Sequence, residues 1–179
     1  MRRMRLVRLR GWGVRALILL GSSNVLANTN ELSEYQLKAA FIYNFAVFTE
    51  WPADVGSRLY LCILGPDSFG EDINDLKGKS VGSRTLLVQR RTSNQAVNGC
   101  DIVFITAQAT RSLPRILEEV RARPVLTIAE QPGAARQGVM LNLAVFRNRV
   151  TFEANQSVAR ASRLTLSSKL LRLATEVHP

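Results

Sequence analysis

The sequence has 179 residues, of which 46% are hydrophobic and 21% charged, and its formal net charge is +10. Six of its 24 Lys and Arg residues fall within residues 1–27, which hold no acidic residue. Residues 28–179 therefore carry 18 basic and 14 acidic side chains, a net charge of +4. This balance, without a basic stretch interleaved with aromatic residues, argues against nucleic-acid binding. The 152 residues after position 27 suffice for one domain with its own core.

The first 27 residues have the build of a secretory signal peptide. Their arginines are Arg2, Arg3, Arg5, Arg8, Arg10 and Arg15, and an apolar run over residues 16–20 is followed by Val25-Leu26-Ala27. The run is shorter than the roughly 20 residues that span a bilayer. We expect cleavage after Ala27 and export of residues 28–179 as one soluble domain. The alternative is a basic helix that lies on a membrane surface.

Hydrophobic periodicity predicts alternating helices and strands through the middle of the chain. Ser33 and Gln36 form a capping-box pair at the start of a helix over residues 33–50, which Pro52 ends. The elements predicted after it are a strand over 58–64, a short helix over 68–77, strands over 85–91 and 101–106, a helix over 112–123 and a strand over 124–128.

The last third of the chain starts with a short turn or helix over residues 130–138. Strands over 139–146 and 150–155 are predicted to form a hairpin that turns at Asn148. A long helix is expected over 157–177, with a basic side made of Arg160, Arg163, Lys169 and Arg172. That side is either a solvated face or a docking surface for an acidic partner.

These elements together predict the fold class. Strand–helix alternation indicates an α/β fold with a mixed, mostly parallel β-sheet flanked by helices in a single layered domain. The hairpin places antiparallel strands at one edge of the sheet.

The two cysteines, Cys62 and Cys100, suggest a disulfide, because an even number of cysteines in an exported protein favours pairing. The pair would close a loop of about 39 residues and stabilise the fold by roughly 4 kcal/mol in the chain-entropy estimate. The alternative is two buried thiols that never meet. Two cysteines and one histidine do not make a tetrahedral zinc site, so no metal is expected.

Catalytic chemistry is not expected from this sequence. The one histidine, His178, lies beside the C-terminus, where we expect it to be mobile, so no Ser–His or Cys–His pair is predicted. Glu118 and Glu119 are adjacent on a predicted helix and point to different faces, which suits an acid–base pair poorly. We therefore predict no enzyme, no catalytic residue and no cofactor.

One turn lies where open α/β sheets hold ligands. The segment from Gly65 to Gly70 follows a predicted strand, and its backbone N–H groups, with Asp67 and Ser68, offer a site for a small anion. It lacks the Gly-Lys-Ser/Thr of a phosphate loop and the dinucleotide fingerprint. A simple tight turn is the alternative interpretation.

Several segments in order resemble the YfiR family. They are YQLKAAFIYNF (35–45), FTEWP (48–52), LCILG (61–65), FG (69–70), LKGK (76–79) before Val81, CDIVFI (100–105), PVLT (124–127), NRVTFEAN (148–155) and SSKLLRLA (167–174). Each segment alone is weak, but their joint order covers nearly all of residues 28–179 and is fairly specific.

The resemblance implies a periplasmic, non-enzymatic regulator. Such proteins repress an inner-membrane diguanylate cyclase by binding its periplasmic sensory domain, which lowers cyclic di-GMP and biofilm formation, and an outer-membrane OmpA-like lipoprotein can sequester them. It also implies an α/β fold, a homodimer and a Cys62–Cys100 disulfide. The family's region of partner contact corresponds to Glu153 and Asn155 and to the exposed side of the next helix, at Arg160 and Arg163.

One departure from that family matters for regulation. Its best-understood members carry a second cysteine pair later in the chain, which this sequence lacks. Two other functions stay open: a periplasmic small-molecule sensor that uses the Gly65–Gly70 turn, and an accessory protein of a sensor histidine kinase.

Overall fold

The computed structural model describes residues 33–147 and 149–179. The predicted signal peptide with its cleavage site after Ala27, and Asn148 at the hairpin turn, lie outside the described residues. Within that part of the chain no helix is long and apolar enough to cross a membrane.

The strands and helices of the described residues alternate in the middle of the chain. The strands are β1 (Thr49–Glu50), β2 (Arg58–Leu64), β3 (Ser80–Val81), β4 (Arg84–Arg91), β5 (Ile102–Ile105), β6 (Leu126–Ala129), β7 (Leu141–Phe146), β8 (Arg149–Asn155), β9 (Thr165–Leu166) and β10 (Glu176–His178). The α-helices are α1 (Glu34–Val47), α2 (Leu113–Glu119), α3 (Gln156–Ala161) and α4 (Ser168–Leu171). Short 3₁₀ helices span Asp72–Leu76, Ala107–Ser112 and Ala135–Gln137.

Eight of these strands form one mixed sheet in the order β10-β8-β7-β6-β5-β2-β4-β3. Strands β4, β2, β5, β6 and β7 run parallel to one another, and β3 pairs antiparallel with β4. At the other side, β8 returns antiparallel to β7, and β10 pairs parallel with β8. The predicted α/β class, with its mostly parallel mixed sheet and antiparallel hairpin, is confirmed. The strand predicted over 58–64 coincides with β2.

The two faces of the sheet are covered by different helices. Helix α1 packs on one face, where Phe45 meets Phe152 of β8 with ring centroids 4.9 Å apart. Helix α2 covers the other face of β2, β5 and β6 through Leu113 and Ile116. Strands β5 and β6 are buried along their whole length, as expected of parallel strands covered on both faces.

Helix α1 begins as predicted. The Ser33 side chain accepts a hydrogen bond from the Gln36 N–H at 3.1 Å, and the Gln36 side chain accepts one from the Ser33 N–H at 2.9 Å. The capping box satisfies two backbone donors that have no partner inside the helix. The helix ends at Val47, because the residues just after it form β1 instead.

The long helix predicted over residues 157–177 is wrong. Helix α3 stops at Ala161, and Arg163 adopts a left-handed backbone conformation with φ of 61°. Strand β9 then pairs antiparallel with β1, and the Ser167 side chain accepts a hydrogen bond from the Leu170 N–H to start α4. The apolar residues recur at helical spacing, but pairing with a strand more than a hundred residues earlier in the chain outweighs that local pattern.

The expectation that His178 is mobile is also wrong. His178 lies in β10 opposite Asn155 of β8, and its imidazole is half-buried, with Nδ1 3.6 Å from a carboxylate oxygen of Glu176. The C-terminal residues therefore form the edge strand of the sheet.

Candidate functional site

A disulfide joins Cys62 and Cys100. Cys62 lies in the middle of β2 and Cys100 directly precedes β5, and their Cα atoms are 5.9 Å apart. Both side chains are buried in the cluster under α2. The bridge therefore ties two neighbouring parallel strands and the loop between β4 and β5 into one unit.

The Gly65–Gly70 turn follows β2 at the carboxyl edge of the parallel strands, as predicted. Gly65 has φ of 102°, and a Cβ atom at that position would lie 2.4 Å from Thr106 Oγ1. Only glycine fits here, because both the backbone conformation and the neighbouring hydroxyl exclude a side chain. The close packing that requires glycine leaves no space between Gly65 and the Thr106 side chain.

The polar groups of this turn bind one another. The Asp67 carboxylate accepts a hydrogen bond from the Phe69 N–H at 2.8 Å and forms an ion pair with Arg90. Arg90 also donates to the Gly70 carbonyl oxygen at 2.5 Å, while Ser68 is exposed. A ligand role for Gly65, Asp67, Ser68 and Gly70 stays a prediction, and it requires that these contacts open.

An open cleft of about 440 Å³ lies beside the turn. Its lining residues are Gly65, Pro66, Arg90, Arg91, Thr92, Ser93 and Gln95. Arg91 donates from its guanidinium to the carbonyl oxygens of Ala96 and Asn98 at 2.7 and 3.0 Å. Both arginines are thus held by the chain itself, which lowers their capacity to bind a free anion.

Glu153 lies in a polar row that crosses three strands. In the sheet register it stands between Asn142 of β7 and Glu176 of β10. Glu153 is half-buried, and its carboxylate lies 3.5 Å from the Asn142 side-chain nitrogen. Two carboxylates side by side at a sheet edge repel each other, so a basic group of a partner would be favoured there.

Asn155 holds the end of β8 and the start of α3. Its side-chain oxygen accepts from the Val158 N–H at 3.0 Å, and its nitrogen donates to the Ala135 carbonyl oxygen at 2.9 Å. The residue is only 8% exposed. Asn155 therefore fixes the start of α3. Its direct contact with a partner stays a prediction.

Arg160 and Arg163 lie at the surface just beyond Asn155. Both are exposed, Arg160 on α3 and Arg163 in the turn after it. Arg163 forms an ion pair with Asp54 at 3.0 Å. We call the set of Glu153, Arg160 and Arg163 the β8–α3 surface. Three of the four predicted contact residues are thus at least partly accessible, within residues 153–163.

A buried ion pair that was not predicted from the sequence joins Lys38 of α1 to Glu130, which follows β6. The Lys38 amine lies 2.7 Å from the Glu130 carboxylate, both side chains are 7% exposed, and Glu34 lies 2.6 Å from the same amine. Burial lowers the pKa of Lys38, but hydrogen bonds and charge from Glu130 and Glu34 outweigh burial and leave the pKa raised. The spacing of four residues between Glu34 and Lys38 is visible in the sequence, whereas the pairing of Lys38 with the distant Glu130 is not.

The remaining chemistry of the described residues is sparse. Glu118 and Glu119 point apart, as predicted: Glu118 pairs with Arg121, and Glu119 pairs with Arg115 and accepts the Val97 N–H. Among residues 33–147 and 149–179, no group of three or more His, Cys, Asp or Glu side chains is placed to hold a metal ion.

A comparison with known protein families relates most of the chain to one of them. Residues 35–175 match the family described as YfiR/HmsC-like. The chain belongs to the YfiR/HmsC-like family. Members of this family are periplasmic, regulatory and non-catalytic, and they act in the diguanylate cyclase system. The family suggested by the ordered segments of the sequence is confirmed.

A solved structure supports the fold of this YfiR/HmsC-like protein. The chain is similar to the structure titled "the ABC domain in complex with L-Trp" from Streptococcus pneumonia, with a TM-score of 0.55 and 9% sequence identity. The match covers 80% of this chain and 60% of that one, so this chain spans less than two thirds of the other's length. At this identity the likeness concerns the fold alone.

Proposed function

We propose that this protein represses a membrane diguanylate cyclase by binding the cyclase's periplasmic sensory domain through the β8–α3 surface. The family match over residues 35–175 carries the proposal. Export by the signal peptide would place the domain in the same compartment as that sensory domain. Repression would lower cyclic di-GMP and, through it, biofilm formation.

Repression of this kind acts by population shift. The protein holds the cyclase off only if it binds the inactive conformation better than the active one. A preference of about 5.5 kcal/mol would move such a switch from almost fully on to almost fully off. An outer-membrane OmpA-like lipoprotein that binds the repressor would release the cyclase by lowering the free repressor concentration. A homodimer would present two β8–α3 surfaces.

The contacts of the β8–α3 surface support this role. Arg160 makes no ion pair with any described residue, and Glu153 stands beside a second carboxylate, Glu176. Arg163 is held by an exposed pair with Asp54, which contributes little to stability and can exchange for a partner's carboxylate. The surface therefore carries charges of both signs that a complementary partner would satisfy.

The test is intracellular cyclic di-GMP in a strain that lacks the gene, compared with its parent. We expect the concentration to rise on deletion and to return when the wild-type gene is restored. Glu153→Lys and Arg160→Glu should fail to restore it. Arg58→Glu, an exposed charge reversal at the start of β2, is the matched control and should restore it.

Protein abundance, measured by immunoblot, separates loss of binding from loss of folding in these strains. An unchanged cyclic di-GMP concentration in the deletion strain would contradict the proposal. If Glu153→Lys restored the parental cyclic di-GMP concentration at normal protein abundance, the β8–α3 surface would not be the binding site.

A second candidate function is a small-molecule sensor, and the cleft of about 440 Å³ beside Gly65 is the observation that favours it. A ligand that binds only the folded protein raises its melting temperature. A thermal-shift screen of periplasmic metabolites tests this role. A hit that is lost in an Arg90→Ala variant would support the cleft as the site.

A further inference from the structure

The tip of the β7–β8 hairpin exposes apolar side chains that the core does not use. Val145 is 46% exposed and Phe146 60% exposed, on opposite faces of the sheet. Arg147 lies over the Phe146 ring, with its guanidinium 5.0 Å from the ring centroid. Arg149, on the other arm of the hairpin, is exposed as well. The tip is thus both apolar and basic.

A second segment with the same character lies at this end of the sheet. Leu173, between α4 and β10, is 71% exposed, and Lys169 and Arg172 beside it are exposed. Thr175, two residues further on, donates hydrogen bonds from its N–H and its hydroxyl to the Phe152 carbonyl oxygen at 2.8 and 2.9 Å. These bonds hold the segment against the hairpin arm. We call the two segments together, residues 145–147 and 149 with residues 169–173, the basic apolar end.

The positive charge of this end is not neutralised locally. Neither residues 143–152 nor residues 166–175 contain an aspartate or a glutamate. Within the described residues, none of the four basic side chains of this end lies within 4.0 Å of a carboxylate, whereas Arg90, Arg115, Arg121 and Arg163 all form such pairs.

We propose that the basic apolar end docks the protein on an anionic lipid surface. Apolar residues flanked by Lys and Arg are the combination that holds proteins in the interface between lipid headgroups and acyl chains. A negative membrane surface attracts each such cation. The inference does not depend on the proposed function.

Docking through this end would also orient the rest of the domain. Glu153 lies four residues from Arg149 on the same strand. At about 3.3 Å per residue the β8–α3 surface begins roughly 13 Å above the headgroups. A partner segment that emerges from the same membrane would meet the surface at that height.

The experiment measures binding of the exported protein, purified from the periplasm, to vesicles by co-sedimentation. Vesicles of phosphatidylglycerol and phosphatidylethanolamine should bind it, whereas vesicles of phosphatidylcholine should bind it far less. High salt should reverse the binding, because it screens charges beyond a few ångströms. The double variant Arg147→Ser/Arg149→Ser should lower the affinity roughly 25-fold, at about fivefold per charge.

The matched control removes the same charge from the opposite end of the sheet. Arg58, at the start of β2, and Arg136 are both exposed, and Arg58→Ser/Arg136→Ser should keep most of the affinity. Phe146→Ser should lower binding several-fold without changing the melting temperature, since the ring is outside the core.

Three outcomes would overturn the inference. The wild-type protein does not sediment with phosphatidylglycerol vesicles, or the two double variants lose equal affinity. The third is that Phe146→Ser converts a dimer to a monomer in light scattering and leaves vesicle binding unchanged, which would make this end an interface between two copies of the chain.

Discussion

The two halves of the sheet differ in how completely their side chains are enclosed. In the parallel half, made of β2, β4, β5 and β6, the central strands are buried on both faces and joined by the Cys62–Cys100 disulfide. In the hairpin half, made of β7, β8 and β10, the outer residues of β7 and most of β10 are exposed. We therefore expect most of the stability to come from the parallel half. Substitutions of exposed residues in the hairpin half should change the free energy of unfolding only slightly.

The largest expected effect follows from removing the disulfide. Cys62→Ala/Cys100→Ala should lower the free energy of unfolding by about 4 kcal/mol, because the unfolded chain regains the freedom of a loop of about 39 residues. Urea unfolding of the two proteins measures the difference. Phe146→Ser in the hairpin half is the contrast and should change it by less than about 0.5 kcal/mol.

Reduction of the wild-type protein gives the control for that prediction. Added reductant should bring the wild-type unfolding midpoint down to that of the double variant and leave the variant unchanged. In cells the variant should be less abundant and should repress less in proportion. Equal stability with and without the bridge would show that the parallel half does not depend on it.

The buried ion pair comes next in size. Lys38→Met should destabilise the protein by about 3 kcal/mol, since it leaves the Glu130 carboxylate buried without its cation. Chemical unfolding checks the value. Lys38→Met/Glu130→Met should lose less than the sum of the two single variants, because the double change leaves no buried charge unpaired. Additive losses would mean that the two groups do not interact.

The same contrast between the halves separates what the sequence predicted from what it did not. The parallel half and the helix that covers it could be predicted from local signals. The continuous apolar run of β2 and the Ser33–Gln36 capping pair each involve only a few neighbouring residues. The disulfide was predicted because cysteines of exported proteins usually pair. The hairpin also followed from two alternating runs around a turn.

The end of the chain could not be predicted in the same way. Helical spacing of apolar residues suggested one helix after Ser157, but β9 pairs with β1 and β10 joins β8, and neither pairing leaves a local trace. At the candidate site, Glu153 and Arg160 were identified through family resemblance alone. The structural role of Asn155 and the pairing of Lys38 with Glu130 depend on contacts between distant segments.

A smaller effect is expected at Asn155, where β8 ends and α3 begins. Asn155→Ala should lower the free energy of unfolding by about 2 kcal/mol, because it removes the N-cap of α3 and leaves the buried Ala135 carbonyl without a donor. Asn155→Asp keeps the acceptor for the Val158 N–H but loses the donor to Ala135. The two variants should therefore differ in the free energy of unfolding that they lose. Thermal melting of both variants tests the assignment, and an unchanged melting temperature for Asn155→Ala would contradict it.

The smallest expected effect is a pH dependence in the parallel half. Burial raises the pKa of Asp101 above its ordinary value of 3.8, and the hydrogen bond from the Tyr60 N–H and the charges of Arg123 and Arg84 only partly oppose this. The folded protein therefore keeps the Asp101 proton to a higher pH than the unfolded chain does. The stabilisation from this residue is greatest below the ordinary pKa and falls as the pH rises through the range just above it.

Asp101→Asn isolates the contribution of this carboxyl group to the pH dependence. The amide oxygen still accepts from the Tyr60 N–H, but the amide does not titrate. Urea unfolding of both proteins between about pH 3 and about pH 6 should show the wild type losing stability relative to the variant as the pH increases. A difference that is constant with pH, or that changes in the opposite direction, would mean that the carboxylate is not disfavoured by burial. The parallel half would then tolerate a charge next to its disulfide as easily as the hairpin half tolerates its arginines.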